Sequence, residues 1–170
     1  MNLLTLANIL SVLPLIIICF SILRFIISTI TNKKLTNHNY LCGILISTII
    51  PQLIKKIPWH KNTYNITMRP KGARDTNYLS NNGICPDNTP GFPSGHMSTT
   101  AYIIMYNILY ILNNYDSFNI IQRYILILSN IIILCLMGWA RIYKKCHTFI
   151  QVCVGIIIGI IVAYIIFNKY

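Results

Sequence analysis

A chain of 170 residues that is 55% hydrophobic and only 10% charged is too apolar for a soluble globular domain. Fourteen Lys and Arg face only three acidic residues, Asp75, Asp87 and Asp116, for a formal net charge of +11. The basic residues lie in short segments between apolar runs, which favours anionic headgroups or a phosphorylated substrate and excludes nucleic acid as a partner.

In chain order, the apolar runs predict five spans of an all-α, polytopic membrane helix bundle. The first covers Leu3 to Ile30, with Pro14 as a kink, and is too long and too poor in N-terminal charge for a cleaved signal peptide. The second runs from about Tyr40 to Ile57, contains Pro51, and ends beside Lys55 and Lys56, whose stems can snorkel to the interface. A polar stretch rich in Asn, Pro, Gly and Thr follows, from Pro58 to Pro93, and lacks helical periodicity. A loop of that length in so compact a chain is more often functional than idle. The third span is expected at Met97–Leu112, the fourth at Ile120–Trp139 and the fifth at Phe149–Asn168. Gly155 and Gly159 give the fifth a small-xxx-small face for close helix packing. Trp59, Tyr143, Tyr164 and Tyr170 near span ends fit an interfacial aromatic belt.

Five spans place the long loop and the short segment Ala140–His147 on one membrane face. That face carries nine of the fourteen basic residues: Lys55, Lys56, Lys61, Arg69, Lys71, Arg74, Arg141, Lys144 and Lys145. Positive-inside logic makes it cytoplasmic. The sequon Asn65-Ile66-Thr67 would make it lumenal, and an anion site would gather the same charge in either compartment. Sidedness therefore stays open.

Three pieces on that face carry chemistry. Pro93-Ser94-Gly95-His96 opens the third span, so a hydroxyl and backbone N–H groups meet at a helix N-terminus, where anions are favoured. His96, in the first turn, is placed to donate a proton to a phosphate-ester oxygen; the bland reading is a serine cap followed by an interfacial histidine. Arg141 offers a planar fork for phosphate oxygens, and His147, six residues on, a neutral ring nitrogen as nucleophile; a snorkelling basic loop is the alternative. Arg69 is held extended by Pro70, while Lys71 and Arg74 read as solvated charge. The six cysteines show no CxxC or Cys/His ligand spacing, so no metal and no cofactor is expected.

These pieces, in this order, resemble the type 2 phosphatidic acid phosphatase superfamily of membrane lipid phosphatases. Its signature is Lys-x6-Arg-Pro, then Pro-Ser-Gly-His, then Ser-Arg-x5-His-x3-Asp. The resemblance spans Lys61 to Gln151, about half the chain. It implies one integral membrane phosphatase domain over residues 1–170, with a long active-site loop at about 58–96. His147 would attack phosphorus through a phosphohistidine, and His96 would protonate the leaving oxygen. Arg69, Arg141, Ser94, Gly95 and Lys61 would hold the substrate, and no metal would take part. Three departures stand out. Ala140 replaces a serine, and Gln151 replaces the aspartate that orients the nucleophile from one helical turn away. Lys61 precedes Arg69 by seven intervening residues rather than six, which leaves Lys55 and Lys56 as alternatives.

The run His147-Thr-Phe-Ile-Gln151-Val resembles the dolichyl-diphosphate phosphatase branch. A polyprenyl or dolichyl diphosphate is thus the favoured substrate and phosphatidic acid the second. Apolar walls would leave little provision for a sugar, and an internal membrane such as the endoplasmic reticulum is expected over the plasma membrane. The competing readings are a weak or inactive protein that binds anionic lipid headgroups, and a phosphotransferase.

Overall fold

The computed structural model describes residues 3–30, 38–58, 63–73, 88–114 and 118–169; for residues 21 and 24–30 it describes the backbone alone. Lys61, Arg74, Trp59, Tyr170 and all three aspartates lie outside the described residues.

Among the described residues, five long helices and one short one follow in chain order: α1 (Leu3–Ile30), α2 (His38–Lys55), α3 (Tyr64–Thr67), α4 (Gly95–Asn113), α5 (Ile120–Tyr143) and α6 (Phe149–Asn168). The long ones lie where the spans were expected, and the ends that differ are informative. Helix α5 continues past Trp139 to Tyr143, which carries Arg141 into its last turn. Helix α6 begins with a capping box, in which the Thr148 hydroxyl accepts from the Gln151 N–H and the Gln151 side chain accepts from the Thr148 N–H. Helix α5 begins with the same device at Asn119 and Gln122. Residues 67–69 and 89–91 run beside each other and meet in one antiparallel bridge, Met68 to Pro90.

Helix α4 is the centre of the bundle, packed against α6, α5 and α2. Gly155 and Gly159 make its contact with α6 a backbone one. A methyl on Gly155 would sit 2.5 Å from the Ser94 carbonyl oxygen, and one on Gly159 would strike the Ser98 carbonyl. The small-xxx-small face thus presses α6 onto the first two turns of α4. On the opposite side, Ser98 Oγ donates to the Ser47 carbonyl at 2.8 Å, and the Thr48 and Thr99 hydroxyls lie 3.0 Å apart, tying α4 to α2. Met97, Met137 and Val152 close the core under the site, with Leu13 and Ile156 packed against them.

The segment Leu3–Phe20 of α1, the whole of α5 and the whole of α6 are each apolar and long enough to cross a membrane. Helix α4 is more polar because its neighbours shield it from lipid, which lets Ser98, Thr99 and Thr100 be buried in one turn. Large apolar side chains such as Phe20, Ile121, Ile125, Leu128, Ile157 and Ile161 point outward, as a bilayer-facing surface requires. The protein is an all-helical membrane protein.

Candidate active site

A cavity of about 500 Å³ opens where α2, α4 and α5 reach the same end of the bundle. His96, Gly95, Arg141, His147, Arg69 and Lys55 line it, so the three sequence pieces meet in one place. Both histidines therefore lie at one end of the bundle. Of the alternative lysines, Lys55 is at the cavity, with its Nζ packed near the first turn of α4, and Lys56 is exposed. Lys61 is outside the described residues.

Each side chain is held by an identifiable device. Pro93 and Ser94 bring the chain into α4, and the Ser94 N–H donates to the Gln151 carbonyl at 3.0 Å, which fixes the start of α4 against α6. Ser94 stands at the N-cap without a side-chain cap bond. Its buried hydroxyl has no hydrogen-bond partner among the described residues. This hydroxyl thus stands at the N-terminus of α4, next to Gly95 and His96, which line the cavity.

Arg141 is 1% exposed. Its Nη1 donates to Ser11 Oγ at 3.2 Å, and Ser11 in turn donates to the Ala7 carbonyl at 2.8 Å. Its Nε and Nη2 are buried with no partner among the described residues. A guanidinium in that state lacks the anion that would offset its desolvation. The cavity is where such an anion would sit.

Arg69 enters from the loop. Its backbone N–H donates to the Thr89 carbonyl at 2.9 Å, and its Nη1 donates to the Cys146 carbonyl at 2.8 Å, beside His147. Pro70 follows it and disfavours a helical conformation at Arg69.

His147 lies in the turn between α5 and α6, and is 2% exposed. Its Nδ1 is 3.1 Å from Gln151 Oε1. Gln151 Nε2 donates to the Ile66 and Met68 carbonyls, both at 2.7 Å, so Oε1 must be the atom that faces the imidazole. A carbonyl oxygen can only accept, so Nδ1 carries the proton and Nε2 keeps its lone pair. Burial, then the Arg141 and Arg69 charges, hold the His147 pKa well below its usual range, against the smaller opposing effect of the Gln151 bond. These surroundings favour the neutral imidazole.

Four further cavity residues escaped sequence reasoning: Ser11 behind Arg141, and Thr48, Gln52 and Thr99 in the wall. The wall near the histidines is therefore polar, contrary to the expected apolar walls; Pro14 and Ile18 of α1 supply its apolar part. A lone hydroxyl in an apolar run was the available signal for Ser11. Nothing in the spacing distinguished Thr48 or Gln52. Among the described residues there is no cluster of His, Cys, Asp or Glu able to hold a metal ion.

The chain is thus a helical membrane bundle with two histidines, two arginines and a lysine around one pocket. The sequence model of one family, the PAP2 superfamily, matches residues 37–170, and the chain belongs to that superfamily. No curated protein and no solved structure matches the chain. The matched region begins after α1, so Ser11, Pro14 and Ile18 come from outside it. Superfamily membership gives the chain a lipid-phosphatase type of function.

Proposed function

We propose that the protein is a metal-independent membrane phosphatase, a single catalytic unit over residues 1–170, that hydrolyses a lipid phosphate or diphosphate. The observation that carries this reading is Arg141: a guanidinium buried beside two histidines, with two of its nitrogens unpartnered among the described residues. A phosphoryl group supplies the missing acceptors and charge.

In this mechanism His147 Nε2 attacks phosphorus in line with the leaving oxygen. The P–O bond to the departing lipid alcohol or lipid phosphate breaks, a P–N bond forms, and His96, which takes up a proton together with the anionic phosphoryl group, gives it to the departing oxygen. Water then attacks the phosphohistidine, neutral His96 takes a proton from it, and inorganic phosphate leaves with His147 restored. Arg141, Arg69, Lys55, Ser94 Oγ and the Gly95 N–H surround the equatorial oxygens, where charge accumulates. Lys55 takes the lysine role that spacing gave to Lys61. Gln151 holds the tautomer but adds no charge to stabilise imidazolium, and the surrounding cations favour neutral His147 in any case.

A polyprenyl or dolichyl diphosphate is the substrate that the His147–Val152 pattern favours, with phosphatidic acid second. The phosphate sits among the cations, the Thr48, Gln52 and Thr99 collar meets the adjoining oxygens, and Pro14 and Ile18 meet the lipid. An internal membrane such as the endoplasmic reticulum fits a polyprenyl substrate. The test is phosphate release from farnesyl diphosphate, dolichyl diphosphate and phosphatidic acid in EDTA, blocked by vanadate. Equal release by wild type and His147→Ala would end this reading. Vanadate binding without release from any lipid would favour a headgroup-binding protein, and turnover that depends on an added alcohol a phosphotransferase.

A further inference from the structure

Gln151 bonds to all three motif-bearing segments at once. Its backbone carbonyl accepts the Ser94 N–H at 3.0 Å. Its Oε1 accepts the Thr148 N–H at 3.2 Å and faces His147 Nδ1 at 3.1 Å. Its Nε2 donates twice, at 2.7 Å each, to the Ile66 and Met68 carbonyls of the segment that leads into Arg69. The side chain is wholly buried. Gly91 closes the back of this arrangement: a methyl there would lie 2.7 Å from Gln151 Oε1 and 2.9 Å from Arg69 Cγ. Arg69 and the carboxamide therefore pack on the same backbone surface.

We propose that Gln151 is a positioning residue for Arg69 as well as for His147, and that a carboxamide is required for this double task. Its two halves act in opposite senses: the oxygen accepts from the nucleophile's ring, and the nitrogen donates to the loop. A carboxylate would serve the first half and fail the second, because an oxygen 2.7 Å from two carbonyl oxygens is repelled by both. The neutral residue at the superfamily's aspartate position is thus part of an exchange. Charge behind the nucleophile is given up, and a clamp on the phosphate-gripping arginine is gained. This rests on the site's reading as a phosphate-binding pocket.

The clamp and the nucleophile role separate in Gln151→Glu, which keeps length and the acceptor and loses both donors. Orthovanadate affinity is measured by calorimetry on detergent-solubilised full-length protein, so the readout does not depend on turnover. The expected result is an affinity about tenfold or more below wild type. Adding Arg69→Ala to Gln151→Glu should cost no more than about twofold further, since an unclamped Arg69 has already lost its grip. The exposed Lys71 beyond it should also become a faster tryptic site. Gln151→Met, which removes donors and acceptor without adding charge, should lose affinity alike, and Gly91→Ala, which presses on the amide from behind, should follow it. These two carry the test if Gln151→Glu gives no folded protein. Wild-type vanadate affinity in Gln151→Glu, or losses that multiply fully between Gln151→Glu and Arg69→Ala, would overturn the clamp. Failure of the phosphatase reading would look different: vanadate binding and the Gln151–Arg69 coupling would persist while no lipid phosphate was hydrolysed.

Discussion

The two halves of α4 solve opposite problems. From Ser94 to Thr100 the helix is small and polar, lies backbone to backbone on α6, and holds the buried hydroxyls of Ser94 and Thr100 without hydrogen-bond partners among the described residues. From Tyr102 onward it is aromatic and saturated. The Tyr102 ring lies on Gly43, where a methyl would collide with it, and its hydroxyl donates to the Tyr40 carbonyl at 2.9 Å. Tyr40, Tyr106 and Phe167 complete the cluster, with Tyr40 and Tyr106 ring centroids 5.0 Å apart and Tyr106 and Phe167 5.4 Å apart. One half bonds its buried tyrosine hydroxyl internally, and the other leaves Ser94 and Thr100 hydroxyls unbonded among the described residues. The difference teaches that unsatisfied burial, which lowers stability, marks the functional end of a helix whose two halves share one backbone.

Changes at the functional end should divide activity from stability, and changes at the aromatic end should do the reverse. The largest effect is expected from His147→Ala: hydrolysis of a lipid diphosphate falls by at least about 10³-fold in a phosphate-release assay. Next, Arg141→Met should weaken vanadate binding by about 10²-fold or more, as a lost charge-assisted fork implies. It should also raise the thermal midpoint of the ligand-free protein, because an apolar side chain replaces an uncompensated buried charge. A falling midpoint in that variant would break the comparison. Gly155→Ala, whose methyl would press on the Ser94 carbonyl, should reduce turnover about tenfold and lower the midpoint together, since the seam belongs to both halves.

A smaller effect is expected from pH. Burial and the neighbouring arginines lower the His147 pKa, so the folded protein keeps the ring neutral where the unfolded chain protonates it. Its contribution to stability is complete above the usual 6.5 and is lost as pH falls below that value. The midpoint of the ligand-free protein should therefore drop between pH 7.5 and 5, with a shallower slope in His147→Gln. The smallest effect is Tyr102→Phe, which removes one hydrogen bond at the aromatic end. Stability should fall by about 1 kcal/mol and turnover should stay within about twofold of wild type.

Much of this was legible in the sequence because apolar runs and polar motifs are local signals. The expected limits of α1 and α6 coincide with the helices, and Pro-Ser-Gly-His announced a helix N-terminus as well as a histidine. Lys55 was within reach of sequence reasoning, but spacing to Arg69 is a poor guide when the chain between them turns through α3. Ser11 showed only as a lone hydroxyl in an apolar run, because its role depends on α1 lying against the end of α5, 130 residues away in sequence. Gln151 was read as the nucleophile's partner, and Thr148-x-x-Gln151 also carries the signature of a capping box. Its bonds to Ile66 and Met68 had no signature, because backbone carbonyls leave no trace in residue identity. Sequence reveals donors and acceptors that side chains own, and hides those that every residue shares.

The cations around the pocket also govern how a cycle ends. On the proposed reading the product, inorganic phosphate, is still a multiply charged anion, and Arg141 is buried beside it with no competing carboxylate among the described residues. Release must reopen the desolvated guanidinium, a hold that a lipid alcohol would escape and a lipid monophosphate would share. On that reading the slow step would be the exit of phosphate, and turnover would answer to the phosphate concentration outside the pocket as directly as to the supply of lipid.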